Sequence, residues 1–487
     1  MPCFPQSYTS TVSHWQQTNR GPKSLWDHGR DAKLPTEIVD YVIVGAGATG
    51  TALAYFLSRL GGAAVGKKVV ILDAKDVASG ASGRNGGHVV GQSWQQLTPL
   101  MAPLDEGGAG LNANDAIDVI MFEQSNIDLV ESIVKSEGID ADFWRGSRVE
   151  VLTTPAGAAD NLRNYELMRK LLKAHPKHKG RVLDWEIVTD PVAVKKLSRT
   201  RGAVQANRIP GGSWHPHKGV TAFLRLALES KSADVSFYSW APVAGFSQEA
   251  DGTVTVDCAA RGKMRARNVI LATNAYTQHV LPELKDILVP VHSHSSLITS
   301  PASYAGPRAL QTTFGVEAGS YVIQTPDSGV VVGPYPSALF GRRILKPDQV
   351  YGIDDDSFVR PEVKHWLANY CPDTYVGWGK EADGEGLTKC WTGIIGHSVD
   401  YLPMVGAVPG RPGVWIAAGY NGRGMALIHS VTRGLAHQLK TGQWDERVPR
   451  AFLVSDARIK RARERALHPL DYPVTGLEYR TMEKSHL

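Results

Sequence analysis

The sequence of 487 residues predicts an α/β (α+β) fold made of a Rossmann-type domain and a second domain built on a mixed antiparallel sheet. Three observations favour this fold. A strand, a Gly-rich turn, a helix and a second strand follow one another from Asp40 to Asp73. A second Gly-rich turn lies between an apolar strand and a helix over 414–438. Extended segments at 289–300 and 319–333 lie between these two units, so the second domain is predicted to be inserted.

The first unit has the spacing of a dinucleotide-binding motif. Tyr41-Val-Ile-Val44 is the strand, and Gly45-Ala-Gly47-Ala-Thr-Gly50 is the turn that opens the helix. The glycines allow a tight turn, close approach of a pyrophosphate and close packing of helix on strand. Asp73 ends the second strand, where its carboxylate would accept hydrogen bonds from ribose hydroxyls and repel a 2′-phosphate. The charge of Asp73 therefore argues against NADP.

The segment after Asp73 favours FAD over NAD. Residues 76–90 read DVASGASGRNGGHVV, in which four glycines stand beside small side chains. Such bare backbone can lie against a pyrophosphate, a ribityl chain and the edge of an isoalloxazine. The alternative is a flexible surface loop.

A late Gly-rich turn suits the same cofactor. Gly419-Tyr-Asn-Gly-Arg-Gly-Met425 follows the apolar strand 414–418 and precedes a predicted helix over 426–438. The turn would direct backbone N–H groups and the positive end of a helix dipole at one point. In a flavoenzyme that point is the N1–C2=O edge, where negative charge develops on reduction. The alternative is a generic strand-to-helix turn.

These motifs resemble the D-amino acid oxidase and glycine oxidase (DAO) family of FAD-dependent amine oxidoreductases. The γ-glutamylputrescine oxidase-like branch is the most similar, and there is some likeness to sarcosine and fructosyl amine oxidases. The resemblance covers roughly residues 38–440 and is weakest at about 95–200 and 291–388. Further stretches that carry it are Trp214-His-Pro216, Ala241-Pro-Val243, Val269–Ala275, Trp391-Thr-Gly393, Asp400–Gly406 and Gly413–Met425.

The resemblance implies oxidation of the C–N bond of a small amine or amino acid. A hydride would pass to flavin N5, and the product would be an imine with, in oxygen, hydrogen peroxide. The expected cofactor-binding residues are Gly45, Gly47, Ala48, Thr49, Gly50, Asp73, Ala74, Ser82, Gly83, Arg84, Asn85, Gly86, Gly87, His88, Val243, Ala272, Thr273, Cys390, Gly419, Asn421, Gly422, Arg423, Gly424 and Met425.

The resemblance also implies a discontinuous domain organisation. An N-terminal arm, 1–35, is anchored by Trp15 and Trp26. The remaining expected parts are an FAD-binding domain from 36–110, 200–290 and 389–445, a substrate domain from 111–199 and 291–388, and a C-terminal tail, 446–487. Helices are predicted at 113–137 and 158–174, and strand-like alternation at 233–238 and 253–258 predicts a hairpin with Asp251-Gly252 at its turn.

Four residues are candidates for catalysis or substrate contact. His88 follows the Gly-rich loop, so it is expected beside the flavin; the alternative is a histidine bonded to backbone. His292 and His294 lie two apart on one predicted strand and should point the same way, towards the substrate; the alternative is that they are surface or core histidines. Trp391 is expected to wall the amine site, unless it is plain core.

Cys390 is a candidate for covalent attachment of the flavin. Cysteines in similar stretches of fructosyl amine and sarcosine oxidases carry the flavin 8α-methyl as a thioether, although Asp400 is out of register with that pattern. The alternative is a buried free thiol.

One departure from the family bears on the electron acceptor. Sarcosine oxidase-like members place a lysine over the flavin for oxygen activation, and the comparable segment here, 330–336, has no lysine. Molecular oxygen is the expected acceptor, and another acceptor is the alternative.

Composition limits the remaining function classes. The net charge of +5 comes from 53 basic and 48 acidic residues, and the basic run 458–465 is interpreted as a solvated helix rather than a nucleic-acid site. No apolar run reaches the roughly 18 residues needed to cross a membrane. The start of the sequence has no long apolar stretch, which argues against secretion, and the four cysteines show no metal-binding spacing.

Ser485-His486-Leu487 resembles the SKL-type peroxisomal address, with His replacing Lys. Because a peroxide-forming flavoenzyme suits an organelle with catalase, the sequence predicts an import receptor as partner and a peroxisomal location. The alternatives are a chance tail and a cytoplasmic location.

Two other functions remain open. An NAD-dependent dehydrogenase would use the first motif but leave the other two Gly-rich segments without a purpose. A non-catalytic FAD-binding scaffold is compatible with the same fold.

Overall fold

The computed structural model describes residues 9–464 except 60, 318 and 328. The strands are β1 (Val39–Val44), β2 (Lys68–Leu72), β3 (Trp144–Leu152), β4 (Glu186–Val188), β5 (Gln205–Ser213), β6 (Asp234–Tyr238), β7 (Gly245–Gln248), β8 (Val254–Asp257), β9 (Lys263–Leu271), β10 (Leu288–Thr299), β11 (Thr313–Val316), β12 (Ser320–Thr325), β13 (Gly329–Pro334), β14 (Gly386–Ser398), β15 (Met404–Ala407) and β16 (Val414–Ala418). The α-helices are α1 (His14–Thr18), α2 (Ala48–Ser58), α3 (Leu97–Met101), α4 (Ala113–Ser136), α5 (Pro155–Ala174), α6 (Pro191–Ser198), α7 (Pro216–Leu228), α8 (Thr277–Val280), α9 (Pro336–Gly341), α10 (Pro361–Thr374), α11 (Gly424–Thr441) and α12 (Asp456–Glu464).

The first sheet has the strand order β15-β16-β9-β1-β2-β6, with the β7–β8 hairpin attached at β9. β1 pairs in parallel with both β2 and β9. The parallel strands of this sheet are apolar on both faces, as expected for a sheet that is covered on both sides. Ile43 of β1 and Val70 of β2, for example, are fully buried. This confirms the Rossmann-type domain.

The second sheet has the order β14-β10-β13-β12-β11-β3-β5-β4. All of its neighbouring strands are antiparallel except β3 and β11, which are parallel. The longest pairing joins β10 to β14 from Leu288↔Ser398 to Thr299↔Gly386. The structure thus confirms the mixed antiparallel sheet.

The domain boundaries differ from those expected. β5 and β14, expected in the FAD-binding domain, lie in the second sheet. Helix α4, expected in the substrate domain, packs against α11, and its buried Ile117 and Ile120 belong to the same apolar cluster as Leu53 of α2. Each of these elements therefore joins the part of the molecule where its apolar face is covered.

Two other expectations need correction. The turn at Asp251-Gly252 is present, but it joins β7 to β8, whereas β6 pairs in parallel with β2. The basic run does form a helix, α12, with Lys460 and Arg461 exposed. Arg458, however, is only 4% exposed because it forms a two-pronged ion pair with Asp400 at 2.7 and 2.9 Å.

Among the helices of residues 9–464, none combines the length and the apolar character needed to cross a membrane.

Candidate active site

A cavity of about 710 Å³ lies where the carboxyl ends of the first sheet's parallel strands face the second sheet. Residues of both sheets line it, and so do both Gly-rich turns. Ligand sites in open α/β sheets occupy this position, and the volume is in the range of a cofactor and substrate pocket.

The first Gly-rich turn can be built only with glycine at two positions. Gly45 has φ +109°, and a Cβ there would lie 2.7 Å from the carbonyl oxygen of Ala272. A Cβ at Gly50 would overlap the carbonyl oxygen of Gly45. Strand β1 and helix α2 therefore meet closely, and the N-terminus of α2, whose N-cap residue Gly47 has no side chain, lines the cavity through Gly47, Ala48 and Thr49.

Asp73 stands beside this helix end. Its Oδ2 accepts the backbone N–H of Ala46 at 2.7 Å and its Oδ1 accepts that of Lys75 at 2.9 Å. Burial raises the pKa of Asp73, and the two N–H donors oppose that shift. Each carboxylate oxygen has a further lone pair for another donor, so the residue can accept ribose hydroxyls.

The loop that carries Ser79 to His88 is held from outside by the N-terminal arm. Ser13 Oγ donates to the carbonyl of Gly83 at 2.5 Å, and Trp15 Nε1 donates to that of Asn85 at 2.7 Å. Because these bonds use the outer carbonyls, the inner side of the loop remains available to line the cavity.

The late turn is fixed by asparagine side chains. Asn274 Oδ1 accepts the N–H of Gly419 at 3.0 Å, and Asn421 Oδ1 accepts that of Ser398 at 2.9 Å. Asn421 itself has φ +54°, and Gly419 has φ +79°. The turn leads into α11, whose N-terminus has no side-chain cap and lines the cavity from Asn421 to Ala426.

These features fit FAD. The N-termini of α2 and α11 line one cavity, and each presents the positive end of a helix dipole. At α2 the first N–H, that of Ala48, donates to Ser82 Oγ at 2.8 Å, so Ser82 is part of this helix end. The N-terminus of α2 suits a pyrophosphate and that of α11 suits the N1–C2=O edge of a flavin. Ser79, Gly80, Ala81 and Ser82, which have small side chains, line the same cavity.

The structure brings most of the expected cofactor residues to this cavity. The lining includes Gly45, Gly47, Ala48, Thr49, Asp73, Ala74, Ser82, Arg84, Asn85, Gly86, His88, Val243, Ala272, Thr273, Asn421, Gly422, Arg423, Gly424 and Met425. The expected residues outside the lining are Gly50, Gly83, Gly87, Gly419 and Cys390. Among these, Gly50 and Gly419 shape the two turns from behind.

His88 lines the cavity as expected. Burial, and secondarily the nearby charge of Arg148, lower the pKa of His88 well below its ordinary value, so the imidazole is neutral. Its Nε2 is buried without a hydrogen-bond partner in the described part of the chain. The centroids of its ring and of the Tyr321 ring lie 5.9 Å apart in an edge-to-face arrangement.

His294 and His292 share one face of β10, and the centroids of their rings are 4.8 Å apart. His294 lines the cavity, and its Nε2 accepts the N–H of Arg360 at 3.1 Å. His292 lies outside the lining and stacks on Phe358. Burial lowers the pKa of His294 to about 3 and that of His292 to about 4, so both are neutral.

Trp391 and Cys390 are not brought to the cavity. Trp391 is fully buried among Trp15, Leu297 and Val331, and its Nε1 donates to the carbonyl of Arg84 at 2.8 Å. It thus matches the core alternative and supports, from the side away from the cavity, the loop of residues 79–88, which we call the flavin loop. Cys390 is a free thiol whose pKa burial raises to about 12.

Sequence reasoning missed the polar wall on β3. Arg148 and Glu150 line the cavity 3.7 Å apart; Arg148 Nη2 donates to the hydroxyl of Tyr335 at 3.2 Å. The signal was present, because Val149 and Val151 alternate with these two residues and are buried. A period of two in this stretch is typical of a half-buried strand.

A second group of possible ligands, Asp118, His175 and His178, lies away from the cavity. His175 Nδ1 accepts the N–H groups of Lys177 and His178, each at 3.2 Å, and His178 Nε2 lies 2.9 Å from Asp118 Oδ1. Lys177 Nζ also binds Asp118 at 3.0 Å. The group is therefore satisfied internally and ties α4 to the loop after α5.

Comparison with known proteins agrees with this geometry. The family model for FAD dependent oxidoreductases (DAO) matches residues 40–438. Human mitochondrial dimethylglycine dehydrogenase is 24% identical over 419 residues, which are 80% of this chain and 41% of that protein, so the chain spans about two-fifths of its length. Gamma-glutamylputrescine oxidoreductase of Escherichia coli is 24% identical over 403 residues, 82% of this chain and 83% of that protein.

The crystal structure of glycine oxidase from Geobacillus kaustophilus superposes with a TM-score of 0.65 at 20% identity. The superposition covers 86% of this chain and 99% of that one, which shows a shared fold. Since the family model spans most of the sequence and the cavity fits the cofactor, the chain belongs to the DAO family of FAD-dependent oxidoreductases.

Proposed function

We propose that the protein oxidises the C–N bond of a small amine or amino acid. Bound FAD supplies the electron sink, accepting a hydride from the carbon next to nitrogen and leaving an imine that water hydrolyses. Relatives named for glycine, dimethylglycine and γ-glutamylputrescine support an amine as the substrate class.

The chain's own residues would bind and orient the amine. The neutral imidazole of His88 can accept a hydrogen bond from an amine N–H without repelling a cation. Tyr321 beside it offers an aromatic wall, and burial raises the pKa of its phenol to about 12. Arg148 and Glu150 form the polar end of the same wall.

One observation carries this proposal. The cavity that begins at the N-terminus of α2 continues without interruption to the polar wall of β3 on the second sheet. A dinucleotide alone would need only the first part, so the second part is space for a substrate.

The test is anaerobic mixing of the purified yellow protein with N-methyl amino acids, D-amino acids, polyamine derivatives and glycated amines. We expect at least one class to bleach the flavin absorbance. Protein that stays yellow with every class would favour the non-catalytic scaffold, and colourless protein that reduces NAD would favour the NAD-dependent dehydrogenase.

We further propose molecular oxygen as the electron acceptor, with hydrogen peroxide as product. Arg148 supports this choice, because it is a cation close to His88 in a chain that lacks the family's lysine in 330–336. Admitting air to substrate-reduced protein should restore the yellow colour within seconds and form one peroxide per amine oxidised. Protein that remains reduced in air would instead indicate a dehydrogenase with another acceptor.

For the attachment of FAD we propose non-covalent binding. Cys390 lies outside the cavity lining, and a thiol with a pKa of about 12 is a weak nucleophile at neutral pH. Acid precipitation should therefore release all of the yellow colour to the supernatant, whereas colour retained in the pellet would indicate the thioether at Cys390.

Finally, we propose import into peroxisomes through Ser485-His486-Leu487, which lie outside the described residues. The support is the sequence motif together with the proposed peroxide chemistry. A fluorescent reporter that ends in the last ten or so residues should collect in peroxisomes. A diffuse cytosolic signal would contradict the proposal.

A further inference from the structure

Arg423 is the charged residue of the late turn, residues 419–425, and it forms an ion pair with Glu123 of α4, which is distant in the sequence. It lines the cavity directly before α11, with 14% of its side chain exposed. Its Nη1 donates to Glu123 of α4, and its Nη2 donates to the carbonyl of Tyr401 at 2.8 Å. Both terminal nitrogens of the guanidinium therefore donate to other residues of the protein.

Glu123 is buried completely, and the rest of its carboxylate is also used. Its Oε2 accepts the N–H of Gln92 at 2.9 Å, and the side chain of Gln92 in turn accepts from Arg423 at 3.3 Å. Burial raises the pKa of Glu123, and the charge of Arg423 opposes that rise. The contact between the Arg423 guanidinium and the Glu123 carboxylate is an ion pair inside the protein, in which the two charges cancel.

The same stretch of α4 holds the turn mechanically. Asn126 Nδ2 donates to the carbonyl of Met425 at 2.9 Å, and Asn126 Oδ1 accepts the N–H of Ser430 at 2.9 Å. Gln124 Nε2 donates to the carbonyl of Gln92 at 2.7 Å. Three buried polar residues of α4, Glu123, Gln124 and Asn126, therefore join the late turn to Gln92.

We propose that Glu123 is a positioning residue that holds Arg423 and cancels its charge, so that the field at the late turn comes from the backbone N–H groups and the dipole of α11. The proposal rests on FAD occupying the cavity as inferred above. It implies that Glu123 lowers the potential of the flavin, because an uncompensated Arg423 would stabilise the negative charge that reduction creates.

The variant Glu123→Gln tests this, because it removes the charge and keeps a similar shape. We expect reduced FAD to be favoured about tenfold over oxidised FAD relative to the unchanged protein, a rise of about 30 mV for a two-electron couple. The double variant Glu123→Gln/Arg423→Gln, in which both charges are absent, should return towards the original potential. Asp128→Asn, the same kind of change on the exposed side of α4, should leave it unchanged.

Potentials are measured by equilibrating the yellow holoprotein with dithionite and a reference dye, so the result does not depend on an amine substrate. Failure of every amine to reduce the flavin would therefore count against the proposed function and not against Glu123. A potential of Glu123→Gln equal to that of Asp128→Asn would overturn the proposal.

If Glu123→Gln does not fold, the double variant decides. Recovery of folded, FAD-containing protein on adding Arg423→Gln would show that the unpaired charge was the fault and would support the proposal. A double variant as poorly folded as the single one would contradict it, since only the polar contacts of Glu123 would then matter.

Discussion

Gly50 illustrates how one residue links the sequence to the cofactor site. The spacing Gly45, Gly47, Gly50 predicted close packing of helix on strand, and the overlap that a Cβ at Gly50 would make with the Gly45 carbonyl is the physical reason. The sequence pattern was sufficient here because the constraint is local to one turn.

Gly50→Ala should consequently weaken FAD binding by about tenfold and destabilise the fold by about 1–3 kcal/mol, the usual range for overpacking. The overlapping atom belongs to the backbone, so it cannot move aside as a side chain would. Titration of apoprotein with FAD and chemical denaturation measure the two effects. Gly245→Ala is the matched control, because no atom lies within 4 Å of a Cβ at that glycine; equal effects in both variants would contradict the explanation.

Asp400 shows what a local reading misses. In the sequence, Asp400 opens a stretch that resembles the family and is an acid near Cys390. In the structure it pairs with Arg458 of α12, in a segment interpreted as solvated. Such a pair between distant segments leaves no periodic signal in a sequence.

Asp400→Asn should cost about 3–5 kcal/mol of unfolding free energy, because it leaves Arg458 buried without its counter-charge. Burial works against ionisation of Asp400, yet Arg458 holds the pKa of the carboxyl below its ordinary value. A lowered folded-state pKa gives stability that is present at neutral pH and is lost as acid protonates the group. Denaturation from pH 7 to pH 3 should therefore show a smaller loss for the variant, and equal losses in both proteins would rule this out.

At the level of elements, the N-terminal arm has a role that its sequence did not suggest. The prediction was only that Trp15 and Trp26 anchor it. The structure shows that α1 and the residues before it bind the carbonyls of the flavin loop, with Trp15 only 4% exposed.

Trp15→Ala should accordingly speed the loss of FAD from holoprotein and cost about 3–5 kcal/mol of stability. Trp15→Phe, which keeps most of the packing but not the hydrogen bond to Asn85, should cost about 1 kcal/mol. FAD release is followed by the recovery of flavin fluorescence. Release at the original rate from Trp15→Ala would mean that the arm does not support the loop.

Elements with a strong local pattern were predicted well, and their partners were not. Helix α4 was expected at 113–137 and is found at Ala113–Ser136. It was expected in the substrate domain, but it packs against α11. Its buried polar residues Glu123, Gln124 and Asn126 contact segments far away in the chain, which the local pattern of the helix does not reveal. The predicted hairpin had the right turn, Asp251-Gly252, but the wrong first strand. The strand that pairs with β8 is β7, which is short and half exposed and therefore has a weak pattern.

For the whole molecule, the two Gly-rich turns could be placed on one cofactor from sequence because both carry backbone constraints. The substrate side could not, since Arg148 lies on β3, Tyr321 on β12 and Tyr335 directly after β13, and they meet only through the pairing of the second sheet. Substrate specificity therefore depends on contacts that no single stretch encodes.

The buried histidines predict how the whole protein responds to acid. Burial is the main cause that lowers the pKa of His215 and His294 to about 3 and that of His217, His397 and His429 to about 4. In the unfolded chain they titrate near 6.5, so between that pH and about 4 the unfolded state binds more protons.

The thermal midpoint should therefore fall as pH drops from 7 towards 5, with uptake of more than one proton on unfolding. His429→Leu, at a site enclosed by Trp214 and Phe223, should reduce that uptake by about one. Calorimetry over this pH range measures both, and a midpoint that does not change between pH 7 and pH 5 would show that these groups are not buried in neutral form.

A crystal structure of the FAD-bound protein would test most directly whether both Gly-rich turns hold one cofactor. We expect the pyrophosphate within about 3 Å of the N–H groups that open α2, and the isoalloxazine between His88 and the N-terminus of α11. A flavin that contacts only one of the two turns, or that lies outside the cavity, would contradict the proposed site.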